Sequence, residues 1–258
     1  MRPLPRLMVA PNGARLTQSD HPGIPVTIPE IVACAIDCMA AGADGLHAHV
    51  RDADQRHVLD AGQYAELLVE LGQKAPNLYV QITTEAVGRY TPAEQRSLVE
   101  TLRPYAVSIA LREITAGEDD ATVRRFFHFC AEAGVGVQHI LYDTDDIAHL
   151  ARLLASGTVP REDLKALIVL GRYAEGLSSS PANLDAPAAA LEAIGPPIDW
   201  AVCAFGAGEN ACLHAAEKRG AKVRIGFENN RTNADGTLAA TNAERIRDYL
   251  SCSERAGS

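Results

Sequence analysis

The segment GLHAHVRD (45–52) places His47, His49 and Arg51 at alternate positions. On an extended chain such residues share one face, while Ala48 and Val50 point the other way. Two imidazoles separated by one small residue make a two-point clip for a divalent metal; in a core, the same pair would be two hydrogen-bonded histidines. RIGFENN (224–230) adds Glu228. Two nitrogens and one carboxylate, with coordination positions left open, are the ligand set of a catalytic zinc ion. A carboxylate buried beside imidazoles needs a cation, and the competing reading pairs Glu228 with Arg51 or Arg224.

Further groups fall at the ends of apolar runs. Arg224 shares the face of Gly226 and Glu228, so it points inward and needs a partner or an anionic substrate. QITTEAVGRY (81–90) offers Thr83, Thr84 and Glu85, with Arg89 and Tyr90 just beyond; hydroxyls there suit carbonyl or carboxylate oxygens. Asn12 and Arg15 leave the first run, where a guanidinium could meet a carboxylate or be a solvated loop charge. Arg112 and Glu113 read as a mutual pair. His21, His57, His128, His139, His149 and His214 have no partner at metal spacing, and those in helices and loops read as surface residues. No G-x-S-x-G elbow or Walker loop is present, so nothing points to a serine hydrolase or a P-loop enzyme.

These groups need strands to hold them, and the chain supplies eight candidates. They are 6–11, 45–50, 78–83, 106–111, 135–142, 164–170, 199–205 and 222–227, nearly all continuous apolar runs of the kind buried in a parallel sheet. Amphipathic helical stretches alternate with them. Thr27/Glu30, Thr91/Glu94 and Thr241/Glu244 fit capping boxes, and Gly42 and Gly220 fit C-terminal caps. The most loop-like stretch is 175–187. No G-x-G-x-x-G follows the first run, which weakens a dinucleotide-binding sheet. The expectation is a single (β/α)8 TIM barrel over residues 1–258, although the length would also suit two small domains. In such a barrel the strand ends gather at one face, and the second and eighth strands lie close enough to bring Glu228 to the histidine clip.

The 258 residues are 47% hydrophobic and 22% charged, as in a soluble globular protein. With 24 basic and 33 acidic residues the net charge is −9, and there is no Lys/Arg run, which argues against a nucleic-acid or anionic-membrane partner. An anionic substrate must therefore be met by a few placed arginines. No apolar run reaches membrane-spanning length and no secretory signal is recognised, so a cytoplasmic setting is expected. The six cysteines form no C-x-x-C pair and read as reduced, buried small hydrophobes.

Together, APNGARLTQSDHPGIPVTIPEI, GADGLHAHVRDADQRHVLD, VQITTEAVGRYTPAEQ and KVRIGFENN resemble the β-keto acid cleavage enzymes, the family that includes 3-keto-5-aminohexanoate cleavage enzyme. The resemblance runs from about residue 8 to residue 250. It implies a zinc-bearing TIM barrel, usually a homotetramer, that condenses a β-keto acid with acetyl-CoA to give acetoacetate and an acyl-CoA. It assigns Zn2+ (or another divalent metal) to His47, His49 and Glu228, and substrate contacts to Thr83. Arg224 matches the arginine of an Arg–Asp catalytic dyad.

Three departures stand out. Asn229 occupies the dyad's Asp position, Arg15 stands at a Glu position of the aminohexanoate enzyme, and VGVQHILYDT lacks a Pro-Glu that precedes the fifth strand there. Losing two acids and gaining an arginine points to a neutral or anionic substrate group. Glu85 or a zinc-bound water then replaces the missing base, while Asn12, Arg15, Thr83, Thr84 and Arg51 are the substrate-binding candidates. Two other readings keep the metal clip: a CoA-independent zinc hydrolase or aldolase, and a metal-binding barrel without catalysis.

Overall fold

The computed structural model describes residues 2–195 and 198–256. Eight parallel strands close a barrel in chain order: β1 (Leu7–Val9), β2 (Gly45–Ala48), β3 (Tyr79–Thr83), β4 (Ala106–Ala110), β5 (Gly136–Leu141), β6 (Lys165–Leu170), β7 (Asp199–Ala204) and β8 (Lys222–Ile225). β1 pairs with both neighbours, Met8 opposite Gly45 and Arg224. Strands two and eight therefore flank strand one, as the proposed clip requires. The helices are α1 (Ile28–Ala40), α2 (Ala61–Lys74), α3 (Pro92–Leu102), α4 (Leu111–Ile114), α5 (Asp120–Glu132), α6 (Thr144–Ala155), α7 (Asp185–Glu192), α8 (Glu209–Glu217) and α9 (Asn242–Ala256). No helix among the described residues is long and apolar enough to cross a membrane.

Alternation along the strands separates two cores. Outward residues such as Leu46, Ile82, Val107 and Ile168 pack against the helices, while Met8, Ala106, Leu167, Val169 and Cys203 fill the barrel. α1 turns Ile31, Val32, Ala35 and Cys38 to the sheet, and fully burying each of the larger ones stabilises by roughly 1.5–3 kcal/mol. Its start is fixed by the Thr27/Glu30 capping box, and α3 starts with the Thr91/Glu94 box and Pro92. At α9, Glu244 N–H donates to Thr241 Oγ1 at 3.1 Å, but the Glu244 carboxylate reaches back to Ala240 N–H instead.

Every foreseen run contains a strand, trimmed at its ends. β1 covers only three residues of 6–11 because Pro11, with no N–H to give, opens the loop that carries Asn12 to Arg15. β8 stops at Ile225 because Gly226 turns the chain at φ +144°, where an added Cβ would run into the Ala10 backbone. The stretch 175–187 is not all loop: two short 3₁₀ turns, Glu175–Leu177 and Pro181–Leu184, lead into α7. The start of α9 ties the two site-bearing strands together, since Asn242 accepts from Phe227 N–H at 2.9 Å and donates to Pro11 O at 3.1 Å.

Candidate active site

At the C-terminal mouth of the barrel three donor groups converge. His47 and His49 are buried with their Nε2 atoms 3.0 Å apart. Glu228 places Oε2 at 3.8 Å from His47 Nε2 and Oε1 at 3.9 Å from His49 Nε2. One ligand atom from each residue lies within 4.8 Å of the others. A tetrahedral zinc ion needs its donors about 3.3 Å apart, from Zn–N and Zn–O bonds of about 2.0–2.1 Å. The set thus fits the ion after a shift of under about 1 Å at Glu228. Two further observations support the fit: Glu228 Oε2 is buried without a hydrogen-bond partner, and burial holds both imidazoles well below their usual pKa, neutral and able to ligate.

A relay across the barrel interior sets the tautomer of His47. Gln138 Nε2 donates to the Ala166 carbonyl at 3.1 Å, an oxygen that only accepts. Gln138 Oε1 therefore accepts from Gln81 Nε2 at 3.0 Å, and Gln81 Oε1 faces His47 Nδ1 at 3.0 Å. His47 must then carry its proton on Nδ1, and its Nε2 lone pair points to Glu228 and His49. Behind His49, Asn12 donates to the His49 and Pro25 carbonyls at 2.8 and 3.0 Å and accepts from His49 N–H at 3.3 Å. Asn12 lines the mouth cavity with its amide fully engaged, as a brace for the β2 end. Arg51 likewise binds the Asn12, Gly13 and Gln55 carbonyls, tying the first loop to the second.

Arg224 is buried and reaches 3.7 Å from Glu228 Oε1 and 3.5 Å from Cys203 Sγ, while its Nε and Nη1 have no partner. Burial works against its charge, yet Cys203 and Glu228 hold its pKa above the usual value. Thr83 Oγ1 accepts from Glu85 N–H at 3.0 Å. Thr83, Glu85, Arg224, Glu228 and His47 share a small inner cavity with Tyr142, Arg172 and Phe205. It sits below an open cavity of about 300 Å³ lined by Arg15, Glu85, Arg172, Glu228 and Asn229, among others. Thr84 lines neither; its hydroxyl donates to Ser108 O at 3.3 Å. The Asn229 side chain is buried with both amide atoms unpartnered.

Burial raises the Glu85 carboxyl to about 7, with Glu228 and Glu113 adding to the rise and Arg172 and Arg15 opposing it. Such a group exchanges protons near neutral pH. Glu113 braces its loop by accepting from Ala86 N–H at 2.9 Å and Gln95 Nε2 at 3.1 Å. Arg112 does not pair with Glu113 but with Asp143 and Asp146 of the next loop and helix. His57 and His21 are buried, contrary to the surface reading. His57 faces the Glu85 carbonyl at 3.1 Å and packs edge-on against His49, and His21 packs on Phe227. His139 lies on the outer face of the barrel beside Phe127, away from the mouth.

The sequence reading missed Gln81, Gln138 and Arg172. Gln81 was within reach, because it stands two residues before Thr83 and shares its inward face.

The profile of the family described as beta-keto acid cleavage enzyme matches residues 6–258. The chain belongs to this family. A 3-keto-5-aminohexanoate cleavage enzyme of Fusobacterium nucleatum is 26% identical over 251 residues, covering 95% of this chain and 89% of that protein. A 3-oxoadipate:acetyl-CoA acetyltransferase of Cupriavidus necator is 30% identical over 104 residues, 40% of this chain and 36% of that one. A 3-dehydrocarnitine:acetyl-CoA trimethylamine transferase of Rhizobium meliloti is 26% identical over 96% of this chain and 90% of its own length. Among solved structures, the oxaloacetate complex of ObcA superposes with a TM-score of 0.72 at 15% identity, over 92% of this chain and 64% of that one. A type I 3-dehydroquinate dehydratase of Clostridium difficile gives 0.62 at 14% identity, over 99% and 94%. Both are likenesses of the barrel fold. The β-keto acid cleavage family thus takes the place that the H-x-H-x-R and R-x-G-x-E-x-N motifs gave it.

Proposed function

We propose that this family member condenses a β-keto acid with acetyl-CoA in a zinc-supported reaction, giving acetoacetate and the CoA ester of the remaining acyl fragment. His47, His49 and Glu228 would hold the zinc, which when bound supplies Lewis-acid polarisation of the keto acid's oxygens. The observation that carries this reading is the convergence of those three donors beside Arg224, whose Nε and Nη1 have no partner. Arg224 binds the keto acid's carboxylate through its free Nε and Nη1 donors. Glu85, raised to about 7, takes the proton from C2 and so fills the role left open by Asn229. Thr83 donates its hydroxyl proton to a substrate oxygen, and the Asn229 amide offers a neutral donor and acceptor at the same mouth. Arg15 meets the far end of the substrate. The narrow inner cavity excludes water from the reacting carbons, which favours transfer to the thioester over hydrolysis.

The homotetramer and the cytoplasmic setting belong to the same proposal and rest on the family resemblance and on the sequence. The test is metal analysis of the wild-type protein and the His47→Ala variant, with acetoacetate measured from β-keto acids and acetyl-CoA. About one zinc per chain, lost together with acetoacetate formation in the variant, supports the reading. Consumption of the keto acid without acetyl-CoA would replace it with a zinc hydrolase or aldolase.

A further inference from the structure

Three arginines line the outer cavity; Arg231 donates to the Asp20 carbonyl at 2.8 Å, which leaves two cations that the chemistry at the metal end does not use. Arg15, exposed on the first loop, and Arg172, half-buried just past β6, both line the large cavity, and Arg172 also lines the inner one. Neither side chain makes a hydrogen bond, or an ion pair within 4.0 Å, with another described residue. Arg172 instead lies over the rings of Phe205 and Tyr173, at 5.4 and 5.7 Å from their centroids. A guanidinium stacked on aromatic faces is held in place while its edge N–H groups stay free, the arrangement that receives a carboxylate bidentately.

The spacing relates this pair to the metal end. An added Cβ on Gly13 would lie 2.5 Å from Glu228 Cγ, so the first loop passes directly over the proposed ligand. Arg15 is two residues further along, within about 7 Å of chain. Arg172 bridges from the inner cavity to the outer one. The nearby acids do not cancel the pair: Glu113 is tied to Ala86 and Gln95, and neither Glu113 nor Glu85 comes within 4.0 Å of either guanidinium. In a chain of net charge −9, two unpaired arginines in one cavity are a local reversal of the overall field.

We propose that Arg15 and Arg172 form a second anion site, which receives a carboxylate at the far end of the keto acid and makes this enzyme selective for dicarboxylic β-keto acids. The proposal rests on the reaction assigned above, with the 1-carboxylate at Arg224 and the 3-oxo group at the metal end. The terminal carboxylate spans the cavity to Arg172, and Arg15 closes over it from the first loop. The same cations could instead meet a phosphate of CoA, so the experiment separates the two anions.

The test compares 3-oxoadipate with 3-oxohexanoate, six-carbon acids that differ in the terminal carboxylate, using wild type, Arg172→Met and Arg15→Met at saturating acetyl-CoA. The wild type is expected to favour 3-oxoadipate by at least about 100-fold in kcat/KM. Arg172→Met should cut that preference by about 10- to 100-fold, the size of a lost charge-assisted hydrogen bond, with a smaller loss for Arg15→Met. Equal or better wild-type turnover of 3-oxohexanoate would overturn the proposal. So would variants that keep the preference while raising the KM for acetyl-CoA, which would assign the pair to a CoA phosphate. Calorimetric titration of 3-oxoadipate without acetyl-CoA distinguishes the two readings. Binding that weakens in Arg172→Met, with no acetoacetate formed, retains the anion site and removes the reaction; no difference in binding between wild type and variant removes the site.

Discussion

Replacing Gln81 by Leu should weaken zinc binding by about 10- to 100-fold, the usual consequence of removing the hydrogen-bond partner of a metal-bound imidazole. Gln81 is fully buried, and its Oε1 is the acceptor for His47 Nδ1–H at 3.0 Å. Leu is one bond shorter but of similar bulk, so the barrel interior stays largely filled, but it offers no acceptor. His47 then loses the constraint that keeps its lone pair on Nε2 and the polarisation that makes that nitrogen more basic. A factor of 10–100 corresponds to about 1.4–2.7 kcal/mol of binding energy. Competition for zinc against a chromophoric chelator at neutral pH measures it, with circular dichroism confirming that the barrel is intact. Gln81→Glu, which restores an acceptor, should recover most of the affinity. Gln138→Leu leaves the His47 bond in place and removes the acceptor for Gln81 Nε2 together with the donor to the Ala166 carbonyl, so its effect on zinc binding should have the same sign and be smaller. A folded Gln81→Leu protein that binds zinc within twofold of wild type would refute the relay.

Other outcomes follow from the same geometry. With Glu85 as base, kcat/KM should rise with pH through about 7, and Glu85→Gln should lower kcat by at least about 100-fold. A carboxyl raised from 4.5 to about 7 on folding favours the folded state fully below about 4.5 and loses that contribution as pH rises through about 7. Denaturant melts of Glu85→Gln should therefore fall less between these pH values than those of wild type. Gly13→Ala would put a Cβ 2.5 Å from Glu228 Cγ at a backbone φ of +57°; it should lower stability by about 1–3 kcal/mol and weaken zinc binding, both readable in melts with and without zinc. Arg245→Leu would strand the Glu209 carboxyl, now paired at 2.7 Å with both side chains fully buried, and should cost about 3 kcal/mol or more in a urea melt.

The barrel was legible because eight apolar runs alternate with capped amphipathic helices, and Thr27, Thr91 and Pro92 mark helix starts through local chemistry alone. The convergence of the three donor residues was legible for a similar reason. His47 and His49 are two apart on one strand, and closure of the barrel brings Glu228 to them through β1. What escaped the sequence depends on contacts between distant segments. Arg112 has an adjacent acid, yet it bonds Asp146 and Asp143, 34 and 31 residues away. His57 looks like a loop residue until the β3 end folds over it. Asn12 and Arg51 read as substrate-binding candidates, but the first two loops need their hydrogen bonds to hold each other over the mouth. Arg172 follows an apolar strand with no motif around it, and only the cavity shows what it faces.

The central claim is that the acetyl group of acetyl-CoA joins the two-carbon end of a β-keto acid at this site. Supplying [1-13C]acetyl-CoA and an unlabelled β-keto acid to the zinc-loaded protein tests it directly by NMR. The account predicts acetoacetate labelled at C3 and an unlabelled acyl-CoA, both abolished in His47→Ala. Label released as free acetate, or keto acid consumed with the acetyl-CoA left intact, would contradict it.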